Sequence, residues 1–189
     1  MRAFIAFPIP KEVSDGVWVS CRSLRRPDLK VKWVEPQNMH ITLLFLGNID
    51  EEHAAKAAQV LKRPSLRRLP FKIAFSGIGQ FPPKGAARVV VSRLTEGAEE
   101  CAAYFEQLKS ELAEILVPAD KRGFQPHLTL GRVRGKDPSS RLEVQQNMGI
   151  ELSGSFRVTR CVLFESILNP EGPTYEEISG IDFISDSNG

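Results

Sequence analysis

The sequence contains few residues of the kinds that build metal centres or covalent cross-links. Its three cysteines, Cys21, Cys101 and Cys161, are far apart, odd in number and never in a CxxC spacing. This distribution argues against a disulfide framework and a zinc site, and it is typical of a reducing compartment. We therefore expect a cytoplasmic protein that needs no metal and no cofactor.

Long apolar runs and common nucleotide-binding motifs are also missing. No segment approaches the roughly 18 apolar residues of a membrane span, and Pro8 and Pro10 interrupt the apolar N-terminus, which is too short for a signal peptide. The sequence has no GxxxxGK[ST] loop, no GxGxxG after a strand and no GxSxG elbow. These absences remove the support for a nucleotide hydrolase, a dinucleotide-binding protein or a Ser–His–Asp hydrolase.

Charge of one sign is not in large excess, because the formal net charge is only +2. Nucleic-acid binding therefore cannot be inferred from overall charge. The basic residues are nevertheless clustered, and most such clusters are solvated loops and helix ends. The three clusters are Arg22, Arg25, Arg26, Lys30 and Lys32; Arg63, Arg67 and Arg68; and Arg132, Arg134 and Lys136.

Hydrophobic periodicity predicts a single domain in which strands and helices are mixed. Helices are expected at 11–25, at 51–63 behind an Asp50 cap, and at 97–116, whereas the polar segment 135–147 is expected to be loop with a weak helix. A Gly/Pro loop is expected at 77–86. Strands are expected at 2–7, 39–46, 71–75, 87–94, 127–133, 150–158, 160–168 and 173–179.

A weak internal repeat relates the two halves of the chain. Each half contains a strand, a helix, a basic linker and then a proline-preceded tetrapeptide, which is His40-Ile41-Thr42-Leu43 in the first half and His127-Leu128-Thr129-Leu130 in the second. Adding the spacing between the two histidines to the position of Arg2 gives Val89, which lies in the opening strand of the second unit. The order of elements therefore recurs at nearly one offset.

Both tetrapeptides place a histidine and a threonine on the same face of a strand, because strand side chains alternate with period two. His40 and Thr42 point one way, and His127 and Thr129 do the same in the second copy. If a pseudo-two-fold axis relates the repeats, the two polar faces meet across a cleft. A single HxT match has no specificity, but two matches at equivalent places favour a functional site.

Two imidazoles and two hydroxyls suit acid–base chemistry on a phosphodiester near neutral pH. One imidazole accepts a proton while the other donates one, and hydroxyls donate to phosphoryl oxygens. A 2′,3′-cyclic phosphate fits best, since ring strain leaves mainly positioning and proton transfer to the protein. Arg132, five residues after His127, could add a forked contact to phosphate. His53 is expected to be an ordinary helix residue.

Nearly the whole chain resembles the two-histidine (2H) phosphoesterases, and within them the RNA 2′,3′-cyclic phosphodiesterases, also called 2′-5′ RNA ligases. The paired tetrapeptides HITL and HLTL are the defining motif of that family. The resemblance extends over the segments MRAFIAFPIPKEV, VKWVEPQNMHITLLFLGNID, GIGQFPPKGAARVV, GFQPHLTLGRVR and VLFESILNPEGPTYEEI.

The resemblance implies an α+β fold of two pseudo-symmetric lobes, each an antiparallel sheet with outer helices, around a cleft. His40 would match the proton donor to the leaving 3′-oxygen, and His127 the acceptor that activates water, which gives a 2′-phosphomonoester. Thr42, Thr129 and Arg132 match phosphate-binding positions. The residues alone do not decide which histidine plays which part.

Several questions stay open at the level of sequence. The substrate could be an RNA end, such as a tRNA fragment, or a small cyclic nucleotide or cyclic-phosphate metabolite, and a third reading is an RNA-end-binding module without turnover. Reverse 2′-5′ ligation is a further activity that the resemblance allows. Phe81 is expected to anchor an apolar loop or to stack on a base, and Tyr175 to lie in the core or near the cleft. We expect a monomer.

Overall fold

A computed structural model describes residues 1–25, 29–115, 123–134, 150–170 and 172–184. These residues form nine strands and three α-helices in the order β1–α1–β2–β3–α2–β4–β5–α3–β6–β7–β8–β9. The helices are α1 (Lys11–Ser20), α2 (Glu51–Leu61) and α3 (Ala98–Glu111). The strands are β1 (Arg2–Pro8), β2 (Val31–Trp33), β3 (His40–Asn48), β4 (Phe71–Phe81), β5 (Val89–Glu96), β6 (His127–Val133), β7 (Ser153–Val158), β8 (Arg160–Asn169) and β9 (Gly172–Asp182).

The strands of the described residues build one sheet in the order β7-β4-β5-β6-β3-β1-β8-β9, with β2 added beside β6. All pairings are antiparallel. The sheet divides into two lobes, β7-β4-β5-β6 and β3-β1-β8-β9, which meet where β3 pairs with β6. That junction has a single registered pair, Ile41 with Leu128. The predicted two-lobed α+β architecture is confirmed.

The two repeats exchange strands. The units β1–α1–β3 and β5–α3–β6 have the predicted strand–helix–strand order. However, β4, which follows the first unit, pairs with β5 of the second, and β8, which follows the second unit, pairs with β1 of the first. Neither half of the chain therefore completes a lobe by itself.

The hydrophobic core lies on the sheet face opposite the histidines. Ile41, Leu43, Leu128 and Leu130 are each at most 3% exposed, as the period-two alternation predicts. Helix α3 packs against β3 and β5, and α2 packs against β8 and β9. The tetrapeptides are therefore held rigidly from their apolar side, while their polar side is left for other contacts.

Local sequence signals place several element ends correctly. The Asp50 side chain accepts a hydrogen bond from the His53 backbone N–H at 2.8 Å and caps α2 as predicted. Helix α3 and the turn after it bury an apolar stripe, with Cys101, Leu108 and Leu112 at 0–1% exposure. All three cysteines are free buried thiols, in agreement with their scattered spacing.

Two parts of the secondary-structure prediction were wrong. The loop predicted from residue 77 begins only after Phe81, because β4 continues through an irregular pairing with β5 between Ser76 and Gly79. The short strand β2 was missed, since three residues give too little periodicity to detect. The loop and weak helix predicted at 135–147 lie outside the described residues. Among the described helices, none is long and apolar enough to cross a membrane.

Replacing Ile41 by Ala should test the importance of the junction between the lobes. Ile41 is fully buried, and truncating such a side chain typically lowers the free energy of unfolding by about 2–5 kcal/mol. Leu168→Ala is the control, because that side chain is 70% exposed and should change stability by no more than about 0.5 kcal/mol. Urea denaturation measures both, and equal effects would contradict the assignment of Ile41 to the core.

Candidate active site

The two predicted histidines lie on adjacent strands and on one face of the sheet. Because Ile41 pairs with Leu128, the antiparallel register sets His40 across from Thr129 and His127 across from Thr42. The histidines are thus diagonal neighbours, which in a regular antiparallel pair lie about 7–8 Å apart. The structure brings together the four residues predicted from the two motifs, which are His40, Thr42, His127 and Thr129.

Both imidazole rings are oriented by the same backbone contact. His40 Nδ1 lies 2.8 Å from the carbonyl oxygen of Asn38, and His127 Nδ1 lies 2.7 Å from that of Gln125. A carbonyl oxygen can only accept, so Nδ1 donates in each ring, and Nε2 is the nitrogen left for a ligand. A neutral ring can therefore accept a proton through Nε2, and a charged ring can donate one there.

Burial makes both rings harder to protonate than a free histidine. It lowers the pKa of His40 to about 4, with further lowering by the charges of Arg132 and His127, against the opposing hydrogen bond to Asn38. The pKa of His127 is also lowered, first by burial and then by Arg132, while the bond to Gln125 opposes the shift. Burial therefore favours the neutral form of both rings.

Arg132 supplies the positive charge of the site. It is exposed at the far end of β6, and its charge contributes to the lowered pKa values of His40 and His127. Burial raises the pKa of the half-buried Tyr175, and the charge of Arg132 offsets part of that rise. Its guanidinium is therefore close to both ends of the histidine pair. A forked cation at this position suits an anionic phosphoryl group.

Aromatic rings pack against both histidines. The Tyr175 ring meets His40 edge-on with centroids 5.2 Å apart, and Phe4 packs against the same imidazole at 4.8 Å. Phe81 meets His127 edge-on at 4.9 Å. Phe81 is therefore a wall of the site at the end of β4, and Tyr175 approaches the site rather than lying only in the core.

The sequence reasoning missed the groups that hold the rings. Asn38 and Gln125 act through backbone carbonyls, which leave no side-chain signal beyond their position two residues before each histidine. Phe4 could have been found by period-two counting along β1, which puts it and Ala6 on the same side. Lys32 was noted only as part of a basic cluster, although β2 pairs it directly with Arg132.

The chemistry of the site follows from this set of groups. Two Nε2 atoms, the half-buried hydroxyl groups of Thr42 and Thr129 and one guanidinium can surround a small anion and move protons on two sides of it. Within the described residues, no group of three or more His, Cys, Asp or Glu side chains could hold a metal ion. Phosphoryl chemistry by paired acid and base is the reaction class that this set favours.

Comparison with known proteins finds the same pattern in a described family. A family model, LigT-like phosphoesterase, matches the chain twice, over residues 7–91 and 94–175. Each match contains one of the two histidine tetrapeptides. The twofold match agrees with the internal repeat that the sequence and the strand order indicate.

Individual relatives cover almost the whole chain. An RNA 2′,3′-cyclic phosphodiesterase from Archaeoglobus fulgidus is 35% identical over 178 residues, which are 94% of this chain and 98% of that protein. Another from Aquifex aeolicus is 32% identical over 182 residues, or 93% of each chain. Among solved structures, the protein TT0787 of Thermus thermophilus superimposes with a TM-score of 0.80 at 28% identity, covering 97% of this chain and 98% of that one.

Replacing Arg132 by Gln should raise the pKa values of both site histidines. The charge of Arg132 lowers the pKa of His40, which is about 4, and that of His127, so removing it must shift both upward. NMR titration of the imidazole ring protons measures this directly. The matched control is Arg134→Gln, two residues further along, and equal shifts in both variants would contradict the placement of Arg132.

Proposed function

The chain belongs to the LigT-like phosphoesterase family, and on this basis we propose that it hydrolyses the 2′,3′-cyclic phosphate at the end of an RNA to a 2′-phosphomonoester. Family membership confirms the resemblance drawn from the HITL and HLTL motifs, and with it the enzyme class, a hydrolase of phosphodiesters. The observation that carries the proposal is the matched orientation of two imidazoles on adjacent strands.

Each step of the proposed reaction uses one atom of the site. His127 Nε2 takes a proton from water as the water oxygen bonds to phosphorus. The bond from phosphorus to the 3′-oxygen breaks, and that oxygen takes a proton from His40 Nε2. The 2′-oxygen keeps the phosphate, so one water is consumed and the two proton transfers balance.

For His40 to act as a proton donor, the bound phosphate itself must raise the pKa of its ring. Burial lowers the pKa of His40 to about 4, which is too low for a proton donor at neutral pH. An anion beside a histidine raises its pKa, because the negative charge favours the charged ring. The cyclic phosphodiester is such an anion, and binding it beside His40 turns the buried ring into a donor. Protonation is therefore coupled to substrate binding.

The remaining polar groups hold the anion in place. Thr42 lies across from His127 and Thr129 across from His40 in the register set by the junction pair, so each hydroxyl can donate to a non-bridging oxygen. Arg132 can stabilise the extra negative charge of the transition state. If the 5′-hydroxyl of another chain replaced water as the nucleophile, its oxygen would bond to phosphorus as the bond to the 3′-oxygen broke, which would give a 2′-5′ linkage. Abundant water favours hydrolysis instead.

His40→Ala and His127→Ala should each lower kcat by about 10²–10⁴-fold, the usual contribution of positioned proton transfer. The assay is release of the 2′-phosphomonoester from an oligonucleotide that ends in a 2′,3′-cyclic phosphate. His53→Ala is the control, because this exposed residue pairs with Asp50 on α2 and lies outside the site. Retention of full rate by either site variant would refute the mechanism.

Hydrolysis should proceed unchanged in the presence of EDTA. The proposed proton transfers need only imidazole nitrogens and water, and the anion is held by Arg132 and the hydroxyls. Initial rates are compared with and without the chelator after exhaustive dialysis. A loss of activity that added divalent cation restores would show that the acid–base pair is not sufficient.

A further inference from the structure

A pocket opens beside the histidines on the side of His40. It has a volume of about 390 Å³ and lies between β2, the turn before β3, the end of β6 and the β8–β9 hairpin. This volume falls within the range of small-molecule sites in proteins. The residues that matter for its chemistry are Lys32, Asn38, Arg132, Pro173 and Tyr175, and we call it the β2 pocket.

The β2 pocket shares its walls with the active site. Tyr175 contacts the His40 ring at 5.2 Å, and the Asn38 carbonyl orients the same ring. The Asn38 side-chain amide also donates to the Pro173 carbonyl at 2.9 Å, which ties the turn before β3 to the β8–β9 hairpin. A ligand that reaches from the phosphate past His40 therefore enters this pocket.

The walls combine a flat ring with polar groups. Tyr175 offers a half-buried ring, and Asn38 offers an amide. The Trp33 ring packs with the core over Gly131, on the opposite face of β2 from Lys32. The nearby carboxylate of Glu35 is already bonded to Gln37 at 2.6 Å. Rings with adjacent amides are the usual surroundings of a nucleobase.

Two cations stand next to each other at this pocket. Lys32 of β2 is the direct cross-strand partner of Arg132 of β6. Within the described residues, neither forms an ion pair with a carboxylate. Lys32 is half-buried, and its amine passes close to Gly172, where a Cβ atom would lie 2.9 Å away. Two adjacent positive charges without carboxylate partners suit two phosphates of one ligand better than one.

We propose that the β2 pocket binds the terminal nucleotide of the RNA, with its base against Tyr175 and its 5′-phosphate on Lys32. This inference rests on the proposed function, in which the leaving 3′-oxygen faces His40 and the ribose therefore lies on that side. A nucleotide inside a polynucleotide carries a phosphate on both sides of its ribose. The pocket thus selects polynucleotide ends over free nucleoside cyclic phosphates, which have only a 5′-hydroxyl.

The test compares two small substrates that differ only at the 5′ position: adenosine 2′,3′-cyclic phosphate with a 5′-hydroxyl and the same compound with a 5′-phosphate. The wild-type protein should have the higher kcat/KM for the phosphorylated compound. Lys32→Gln should reduce that preference by about ten-fold, mainly through KM, as expected for a lost hydrogen bond between charged groups. Tyr175→Leu should lower kcat/KM for both compounds and leave the preference intact.

Lys30→Gln is the matched control, since it removes the same charge from an exposed residue outside the pocket and should leave the preference unchanged. A preference that is absent in the wild type, or that falls equally in both lysine variants, overturns the assignment of Lys32. These results would leave the hydrolysis itself intact. Failure to open either compound or a cyclic-phosphate-ended oligonucleotide would instead overturn the proposed function, and this inference with it.

Discussion

The site depends on one constraint: two strands from different lobes meet with their apolar residues inward at a single registered pair. Ile41 and Leu128 are both fully buried at that pair, and a shift of register by one residue would turn His40 or His127 into the core. The strand register that packs the core therefore also sets the spacing of the two imidazoles. The rest of the site, including the carbonyls that orient each ring, is built around this junction.

Part of this arrangement could be predicted from sequence, because it depends on local periodicity. Alternation along HITL and HLTL assigns the correct faces, and the Asp50 cap and the α3 stripe follow from equally local patterns. The exchange of β4 and β8 between the repeats could not be predicted, since strand pairing depends on contacts distant along the chain. Likewise, the meeting of Lys32 with Arg132 needs the three-residue strand β2, which is too short to leave a periodic signal.

A bound anion would oppose the effects that burial and the charge of Arg132 have on the protonation of His40. Desolvation and the charge of Arg132 both keep His40 neutral, whereas a proton donor must be charged when it acts. An anionic ligand reverses the balance, because its charge offsets that of Arg132 and favours the imidazolium. In the proposed mechanism, His40 is therefore unable to donate a proton until a phosphate is bound. The aromatic rings of Phe4, Tyr175 and Phe81 add to this effect by limiting the access of water to the imidazoles.

The exchange of strands between the repeats has a consequence for how the chain is made. During synthesis β1 (Arg2–Pro8) emerges long before one of its two neighbours, β8 (Arg160–Asn169). The edge of β1 that pairs with β8 therefore stays unpaired until β8 has been synthesised. Contacts so distant in sequence also form slowly. An apolar strand with an open edge is a template for aggregation. Nascent chains of this protein are thus expected to need protection from aggregation until the β8–β9 hairpin has been synthesised.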